Sequence, residues 1–517
     1  MLNINQKKIQ LLDCTLRDGG YYTNWDFDEN LVEQYFKTIN NLPVEFIEIG
    51  YRSKPQQKYE GAFFYLPQYL LEFCKKQSSK KLVIILNEKE FSPDDVEEVL
   101  KPCAGMVYMV RLAVAPHRLK NALKIAEAVK KMGFLISLNL MYASKWKEDL
   151  YTSADLKNFQ GILDYFYVVD SYGGMLPSEV TMTFNKLKES LSVDLGFHGH
   201  NNIEMALINS LTAMEAGASI IDATVCGMGR GAGNLKTELL LSLLHRKYKV
   251  PVDFDILNEL VEEFLKLKEE HKWGTNLPYM LSGAFSLPQN TVLGRVKKRF
   301  FSLNSIVKEV SEETTPPPEN CHFPVFTPVK QYQKALVVGG GNTPQEFSGA
   351  VREYLKHNPK ICIIHSSSRN VNSFLDLPNH QFHCLSGKEI LRLEKTLSPE
   401  NYDKRFFLIS SETGETIPAD FSSKYKQFTK VLKKGHFQKK YELSTTAMAM
   451  DIADSLDVQE IMFTGYDGYA GQVTREQLEL FEENQEIFDD AEEHGLTIFS
   501  LTPTMYKLSS KSIFSIL

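Results

Sequence analysis

Cysteine is scarce and scattered in this sequence: seven thiols among 517 residues, at positions 14, 74, 103, 226, 321, 362 and 384, with no C-x-x-C pair. Such an odd set excludes a disulfide framework, a zinc knuckle and a CxxC redox couple, and reduced thiols are expected. Long apolar runs are missing too. No stretch approaches the roughly 18 apolar residues of a membrane span, and the two lysines of MLNINQKKIQLLD are not followed by an apolar segment of signal-peptide length. The expectation is a soluble, cytoplasmic chain with no membrane partner. Nor is there a basic excess: 65 acidic against 58 basic residues give a formal charge of −7, so nothing drives the whole molecule onto nucleic acid or anionic lipid. No fixed-period repeat or low-complexity tract is present. A small-molecule partner is what remains.

What is there belongs to a globular protein: 43% hydrophobic and 24% charged residues, with 30 glycines and 21 prolines. At roughly 100–200 residues per domain, the length implies two or three domains. Up to about residue 300, short runs rich in aliphatic and β-branched residues alternate with segments of helical apolar spacing. The runs are Leu11–Leu16, Phe46–Gly50, Leu82–Leu86, Val107–Val114, Phe134–Leu140, Phe166–Asp170, Val193–His198 and Ile220–Val225. Eight βα units without a sheet-reversing insertion favour a closed (β/α)8 TIM barrel over an open doubly wound sheet, and function then belongs at the carboxyl ends of the strands. Asn30–Thr38 and Asn202–Ala216 read as amphipathic helices between them.

The domain expectation is therefore a barrel over residues 1–250 and a helical extension over 251–310, built on Ile256–Glu270 and Leu281–Val310. A proline-rich linker over 311–329 follows, centred on SEETTPPPEN at 311–320, where consecutive prolines cannot donate backbone hydrogen bonds. A smaller, doubly wound Rossmann-like α/β domain over 330–517 completes the chain. Its strands are read from KALVVGGGN, KICIIHSSS, FFLISS, EIMFTGYD and LTIFSL. The helical additions after the barrel offer surfaces for a homodimer.

Three segments carry chemistry. In DCTLRDGGYYTNW, residues 13–25, the first strand ends in Arg17 and Asp18 before two glycines. An Asp there can give a hard oxygen to a divalent metal, and the adjacent Arg can offer fixed donors to a carboxylate or a developing enolate. Taken alone, RDGG reads more simply as a surface turn. In GFHGHNN, residues 196–202, His198 and His200 stand two apart at the end of the seventh strand, so period-two alternation projects both imidazoles to one face. With Asp18 opposite, they make an N2O set with positions left for water or substrate. In CGMGRGAGN, residues 226–234, four glycines after the eighth strand permit close backbone approach. That loop reads as a tight turn, as an anion site with Arg230 as its charge, or as a support for the metal through Asn234.

DCTLRDGG, VVDSYGG, GFHGHNN and GMGRGAGN, in that order on strands one, six, seven and eight, resemble the DRE-type metal-dependent TIM-barrel lyases and synthases. That superfamily includes hydroxymethylglutaryl-CoA lyase, isopropylmalate synthase and 4-hydroxy-2-oxovalerate aldolase. The resemblance covers roughly residues 8–300 and is strongest to the aldolases, through VVDS and GAGN. It implies Asp18, His198 and His200 as ligands of Mn²⁺ or Mg²⁺, and Arg17 as the donor facing the keto-acid end. Ser171, after Asp170, would bind the carboxylate of a 2-oxo acid substrate, and Asn139 on the fifth strand joins the substrate set. The activity implied is cleavage of a 4-hydroxy-2-oxo acid to pyruvate, or a related 2-oxo acid, and an aldehyde. A Claisen-type acyl-CoA synthase and a non-catalytic scaffold barrel are the alternatives.

One position departs from the aldolase pattern: Tyr21 stands where that branch places its acid/base histidine. Tyr21 and Glu48, at the end of the second strand, are then the candidates for that role, with Tyr22 and Tyr142 behind them. The change at this position points to a substrate other than 4-hydroxy-2-oxovalerate. In the second domain, Gly339, Gly340, Gly341 and Asn342 follow a strand without the G-x-G-x-x-G spacing. They form a possible ligand loop, with His365 to Arg369 and Asp467 on neighbouring strand-end loops.

Overall fold

The computed structural model describes residues 2–4, 7–288, 323–328, 331–386, 388–397, 404–410, 425–441, 444–469 and 475–517. The chain divides into two compact units, Met1–Leu293 and Gly294–Leu517. The stretch 311–320 read as linker, and the 289–310 part of the helical extension, lie outside the described residues.

In the first unit, eight parallel strands close on themselves: β2 (Lys7–Asp13), β3 (Phe46–Tyr51), β4 (Lys81–Asn87), β5 (Met109–Val114), β6 (Leu135–Leu140), β7 (Tyr165–Asp170), β8 (Asp194–Gly199) and β9 (Ile220–Ala223). A short antiparallel β1 (Leu2–Ile4) lies on β2, and the β2–β9 pairing from Gln10↔Ile220 to Asp13↔Ala223 shuts the cylinder. The barrel interior is packed by Leu12, Phe46, Val83, Met109, Tyr167 and Ile220, while the opposite strand faces are covered by helices such as Glu29–Asn41, Leu119–Lys131 and Pro177–Ser190. Strands covered on both sides need near-continuous apolar sequence, which is why each reads as a mostly apolar run. The expected eight-stranded closed barrel is the observed one.

Two local differences bear on the site. The first run ends as a strand at Asp13, not Leu16, and Thr15–Asp18 forms a helical turn. The cause is Asp13, whose Oδ1 accepts from the Thr15 amide at 3.0 Å and bends the chain out of the sheet. The helix expected over Asn202–Ala216 begins at Ala206, because residues 200–205 form the loop that follows β8.

The helical extension comprises Phe254–His271 and Leu277–Ala284 within the first unit. Trp273 donates to the Cys226 carbonyl at 3.1 Å and Phe264 meets Tyr35 at 6.5 Å, so the extension braces the glycine loop after β9. No helix among the described residues is long and apolar enough to cross a membrane.

The second unit is a parallel sheet of seven strands in the order β14-β13-β12-β11-β10-β15-β16. These are β10 (Lys334–Val338), β11 (Cys362–His365), β12 (Gln381–Leu385), β13 (Arg405–Ser410), β14 (Thr429–Leu432), β15 (Glu460–Thr464) and β16 (Thr497–Ser500). Five were expected. β12 carries His383 and Gln381 in place of an apolar run, and β14 is four residues with a lysine, so neither has a clear hydrophobic period. Residues 323–328, at the end of the span read as linker, lie along β14: Phe326 donates to the Val431 carbonyl at 2.7 Å and Val431 to Pro324 at 2.9 Å.

Candidate active site

The carboxyl end of the barrel opens into a cavity of about 160 Å³, whose wall includes Arg17, Asp18, Tyr21, Asn139, Tyr142, Ser171, His198, His200 and Arg230. Its floor is built from the helical turn after β2. Asp13 fixes that turn by accepting also from Tyr35 Oη at 2.7 Å and from Thr237 Oγ1 at 2.8 Å. The Trp25 indole N–H donates to the Arg17 carbonyl at 2.8 Å. A side chain at Gly20 would put its Cβ 2.1 Å from that indole, so the second glycine of RDGG is a packing requirement. Arg17 and Asp18 are thereby presented side by side, both buried.

Asp18, His198 and His200 bring one ligand atom each to within 4.8 Å of one another, a group that can hold a metal ion. His198 lies within β8, whereas His200 sits just beyond it, bridged to Asn234. Both tautomers are set from behind. His198 Nδ1 is 2.8 Å from Asp222 Oδ2, and His200 Nδ1 is 2.8 Å from the Asp170 carbonyl, so both rings turn Nε2 away from these anchors. This is the carboxylate or carbonyl backing that metal-binding imidazoles receive. Burial, reinforced by His198, pushes the His200 pKa down to about 3, which keeps the ring neutral and able to ligate. Burial alone would raise the Asp18 carboxyl, but Arg17, His198, His200 and the Asn234 amide together hold it below the ordinary range.

Two further features fit a cation there. Asn234 donates its Nδ2 to Asp18 Oδ2, and its buried Oδ1 has no hydrogen-bond partner. Gly229 has no room for a side chain: a Cβ would stand 2.3 Å from Asn234 Nδ2 and 3.1 Å from Asp18 Oδ2. The glycine loop thus brings backbone close to Asp18 and Asn234.

Behind the wall runs a buried charge network that the sequence reading missed. Arg17 Nε donates to Glu48 Oε2 at 2.6 Å and Arg17 Nη1 to Asp18 Oδ1 at 2.5 Å. Arg111 lies 3.2 Å from Glu48 Oε1 and donates to Asp222 Oδ2 at 2.6 Å and to Asn139 Oδ1 at 3.1 Å. Its guanidinium stacks 4.2 Å over the Tyr167 ring. The chain of contacts Asp18–Arg17–Glu48–Arg111–Asp222–His198 returns to the cluster of Asp18, His198 and His200. The register of β3 on β4 shifts between Glu48 and Gly50, an irregularity of the kind that re-aims a side chain beside a site. The missed signals were Arg111 in MVRLAV and Asp222 in IIDA: a charge inside a barrel strand must find a partner.

Of the other expected residues, Ser171 Oγ accepts from the Tyr142 amide at 2.8 Å on the cavity wall. Glu48 is fully buried and held by both arginines, and is not among the lining residues. Tyr21 is 41% exposed, 3.1 Å from Tyr51 Oη. Tyr22 donates to the Gly231 carbonyl at 2.8 Å. Tyr142, at φ 64°, stacks on Tyr172 at 5.4 Å.

In the second unit, the backbone N–H groups of Asn342 and Thr343 donate to Asp467 Oδ2 at 2.6 and 3.2 Å, and Thr343 Oγ1 donates to Oδ1 at 2.5 Å. Asn370 Nδ2 donates to the Gly339 and Gly341 carbonyls at 2.8 and 2.9 Å, and Arg369 to Gly340 at 3.0 Å. The expected ligand loop of Gly339, Gly340, Gly341 and Asn342 is closed by its own chain, with a carboxylate where a phosphate would sit. His365 is buried against Gln381, 2.9 Å away.

Three comparisons bear on the barrel. A model of the HMGL-like family matches residues 99–263. A 4-hydroxy-2-oxovalerate aldolase of Bacillus cereus is 29% identical over 288 residues, 52% of this chain and 81% of that protein. An oxaloacetate decarboxylase of Mycobacterium tuberculosis is 23% identical over 315 residues, 58% of this chain and 90% of the other. Among solved structures, the N-terminal domain of a candidate aldolase from Bacteroides vulgatus superposes with a TM-score of 0.56 at 45% identity, covering 58% of this chain and all of that one. Through its barrel unit, this chain belongs to the HMGL-like family.

Proposed function

We propose that the barrel unit is an aldolase of 4-hydroxy-2-oxo acids, using Mn²⁺ or Mg²⁺ and releasing pyruvate, or a related 2-oxo acid, and an aldehyde. The observation that carries this reading is the three-ligand cluster of Asp18, His198 and His200 beside Arg17 on one cavity wall. One carboxylate oxygen and two imidazoles suit a six-coordinate divalent cation with open positions. Such a cation, when bound, polarises the 2-ketone and offsets the charge of the enolate.

The side chains supply the rest. Arg17, fixed by Glu48 and Asp18, offers its guanidinium to the keto-acid head, and Ser171 and Asn139 lie along the same wall for its carboxylate. Cleavage removes the proton of the 4-hydroxyl, forms the aldehyde C=O and breaks C3–C4. The electron pair of that bond passes into the enolate, and a proton returned to C3 gives the 2-oxo acid. We assign the 4-hydroxyl proton to Tyr21. Burial pushes the Tyr51 phenol well up, so Tyr51 keeps its proton and donates it toward the Tyr21 oxygen. Glu48, committed to two guanidinium groups, acts as a positioning residue.

Pyruvate release from a panel of 4-hydroxy-2-oxo acids, with and without added Mn²⁺, tests the reading. Metal-dependent release is expected, and Tyr21→Phe should lower it at least ~100-fold. No release from any of the panel contradicts the aldolase reading, and near-normal turnover in Tyr21→Phe removes Tyr21 from proton transfer. A decarboxylase reading is favoured by the likeness to an oxaloacetate decarboxylase and by Tyr21, which stands where the resemblance to the aldolases implies a histidine; loss of CO2 from a 3-carboxy-2-oxo acid requires no hydroxyl proton to be removed. Oxaloacetate in the same panel distinguishes the two.

A further inference from the structure

The wall of the cavity is unevenly charged. Asp18 is the only carboxylate among its lining residues, and Arg17 is already paired with Asp18 and Glu48. Arg230 is different: exposed at the mouth, its guanidinium has no hydrogen bond or ion pair among the described residues, only the Tyr21 ring 5.7 Å away. Lys145, also exposed, lies 5.5 Å over the ring of Tyr172, another lining residue. The backbone beneath Arg230 is firmly braced. Gly231 accepts from Tyr22, the Gly233 amide donates to the Arg230 carbonyl at 3.2 Å, and the Asn234 amide donates to Gly227 at 3.0 Å.

Depth divides the cavity into two ends. The ligand cluster and Arg17 are buried, whereas Tyr21 and Arg230 are open to solvent. A 2-oxo acid held at the deep end would direct its aldehyde-side carbons toward the open end of the cavity, where Tyr21 and Arg230 lie. A bidentate cation with no ion-pair partner among the described residues matches a planar or tetrahedral oxyanion. Positive potential in a low-dielectric cleft also raises the local concentration of a multiply charged anion.

We propose that the aldehyde-side portion of the substrate ends in an anionic group, a carboxylate or a phosphate, and that Arg230 selects it. This rests on the aldolase reading, and it narrows the substrate to a 4-hydroxy-2-oxo acid with charge at both ends. The bond chemistry is unchanged: the same C3–C4 bond breaks, and the anion leaves with the aldehyde.

The test runs in the condensation direction, with metal-loaded full-length protein and pyruvate. The acceptors are butanal, succinic semialdehyde and glycolaldehyde phosphate, each measured as kcat/KM at low and at high salt. The expected result is a preference of about tenfold or more for a charged acceptor over butanal, shrinking as salt screens the contact. Arg230→Gln should bring the ratio close to one and Arg230→Lys should keep part of it, while the better of the two anions identifies carboxylate or phosphate. Equal use of butanal by the wild type overturns the proposal. So does an equal loss for all acceptors in Arg230→Gln, which would move Arg230 to the keto-acid head. Deuterium exchange into the pyruvate methyl group is read on the same sample. Absence of exchange sinks the aldolase reading itself, whereas exchange without charge preference sinks only this inference.

Discussion

Asp222→Asn perturbs the site without touching the cavity. Asp222 is 2% exposed, and its Oδ2 takes both His198 Nδ1 at 2.8 Å and Arg111 Nη2 at 2.6 Å. The amide keeps the shape but removes a charge from a cluster of three carboxylates and two guanidinium groups. It can also present Nδ2 to His198, which would force the ring to the tautomer that protonates Nε2 and cannot ligate. Loss of such a backing group costs about 10–100-fold in metal affinity, or roughly 1.4–2.8 kcal/mol. Breaking a buried pair outright costs about 3–5 kcal/mol; Glu48 remains 3.2 Å from Arg111, so the metal-free protein should lose less, about 2–3 kcal/mol. Calorimetric titration of Mn²⁺ measures the first number and urea unfolding in chelator the second. Affinity within twofold of wild type would refute the backing argument, and unchanged stability would refute the charge network.

Gly229→Ala inserts a methyl 2.3 Å from Asn234 Nδ2, so Mn²⁺ affinity should fall at least about tenfold and stability by about 1–3 kcal/mol, read by titration and urea midpoint. Glu48→Gln should destabilise the barrel by about 3 kcal/mol or more through Arg17 and Arg111, and should weaken metal binding as Arg17 shifts. A stable variant with intact metal binding and no turnover would instead make Glu48 the base. In the second unit, burial pushes the His365 pKa down to about 3 from the usual 6.5, and His383, stacked on it at 4.6 Å, is pushed down as well. The unfolded chain therefore binds more protons than the folded one below pH 6.5. Stability is fully present above that pH and is lost on acidification by about 1.4 kcal/mol per unit for each histidine. Labelling of the buried Cys362 and Cys384 in urea, with a thiol reagent active in acid, reads this unit, and a flat profile between pH 7 and 5 contradicts it.

The barrel was legible because its strands are sealed on both faces and must be apolar along most of their length, with charges such as Arg111 and Asp222 only where a buried partner meets them. The grouping of Asp18, His198 and His200 was legible because the two histidines lie two apart and Asp18 follows the first strand. Local geometry was less so: Asp13 ends β2 early through a hydrogen bond, and nothing in the apolar pattern of LLDCTL marks that stop. Arg111, Asp222 and Tyr51 act through partners far along the chain, such as the 111 residues between Arg111 and Asp222, which a pass over local motifs does not join. The same holds for Asp467, whose carboxylate closes a glycine loop 125 residues earlier. A glycine-rich turn after a strand shows that backbone approaches something closely, but not whether that something is a ligand or the chain itself.

A divalent cation held by Asp18, His198 and His200 should make the methyl protons of a 2-oxo acid labile. The most direct measurement is deuterium exchange into pyruvate, followed by proton NMR, in wild type and His200→Ala with chelator and with Mn²⁺. Exchange that appears with Mn²⁺ in the wild type and is absent with chelator or in His200→Ala is the predicted result. Equal exchange in chelator, or in His200→Ala with Mn²⁺, would contradict the account.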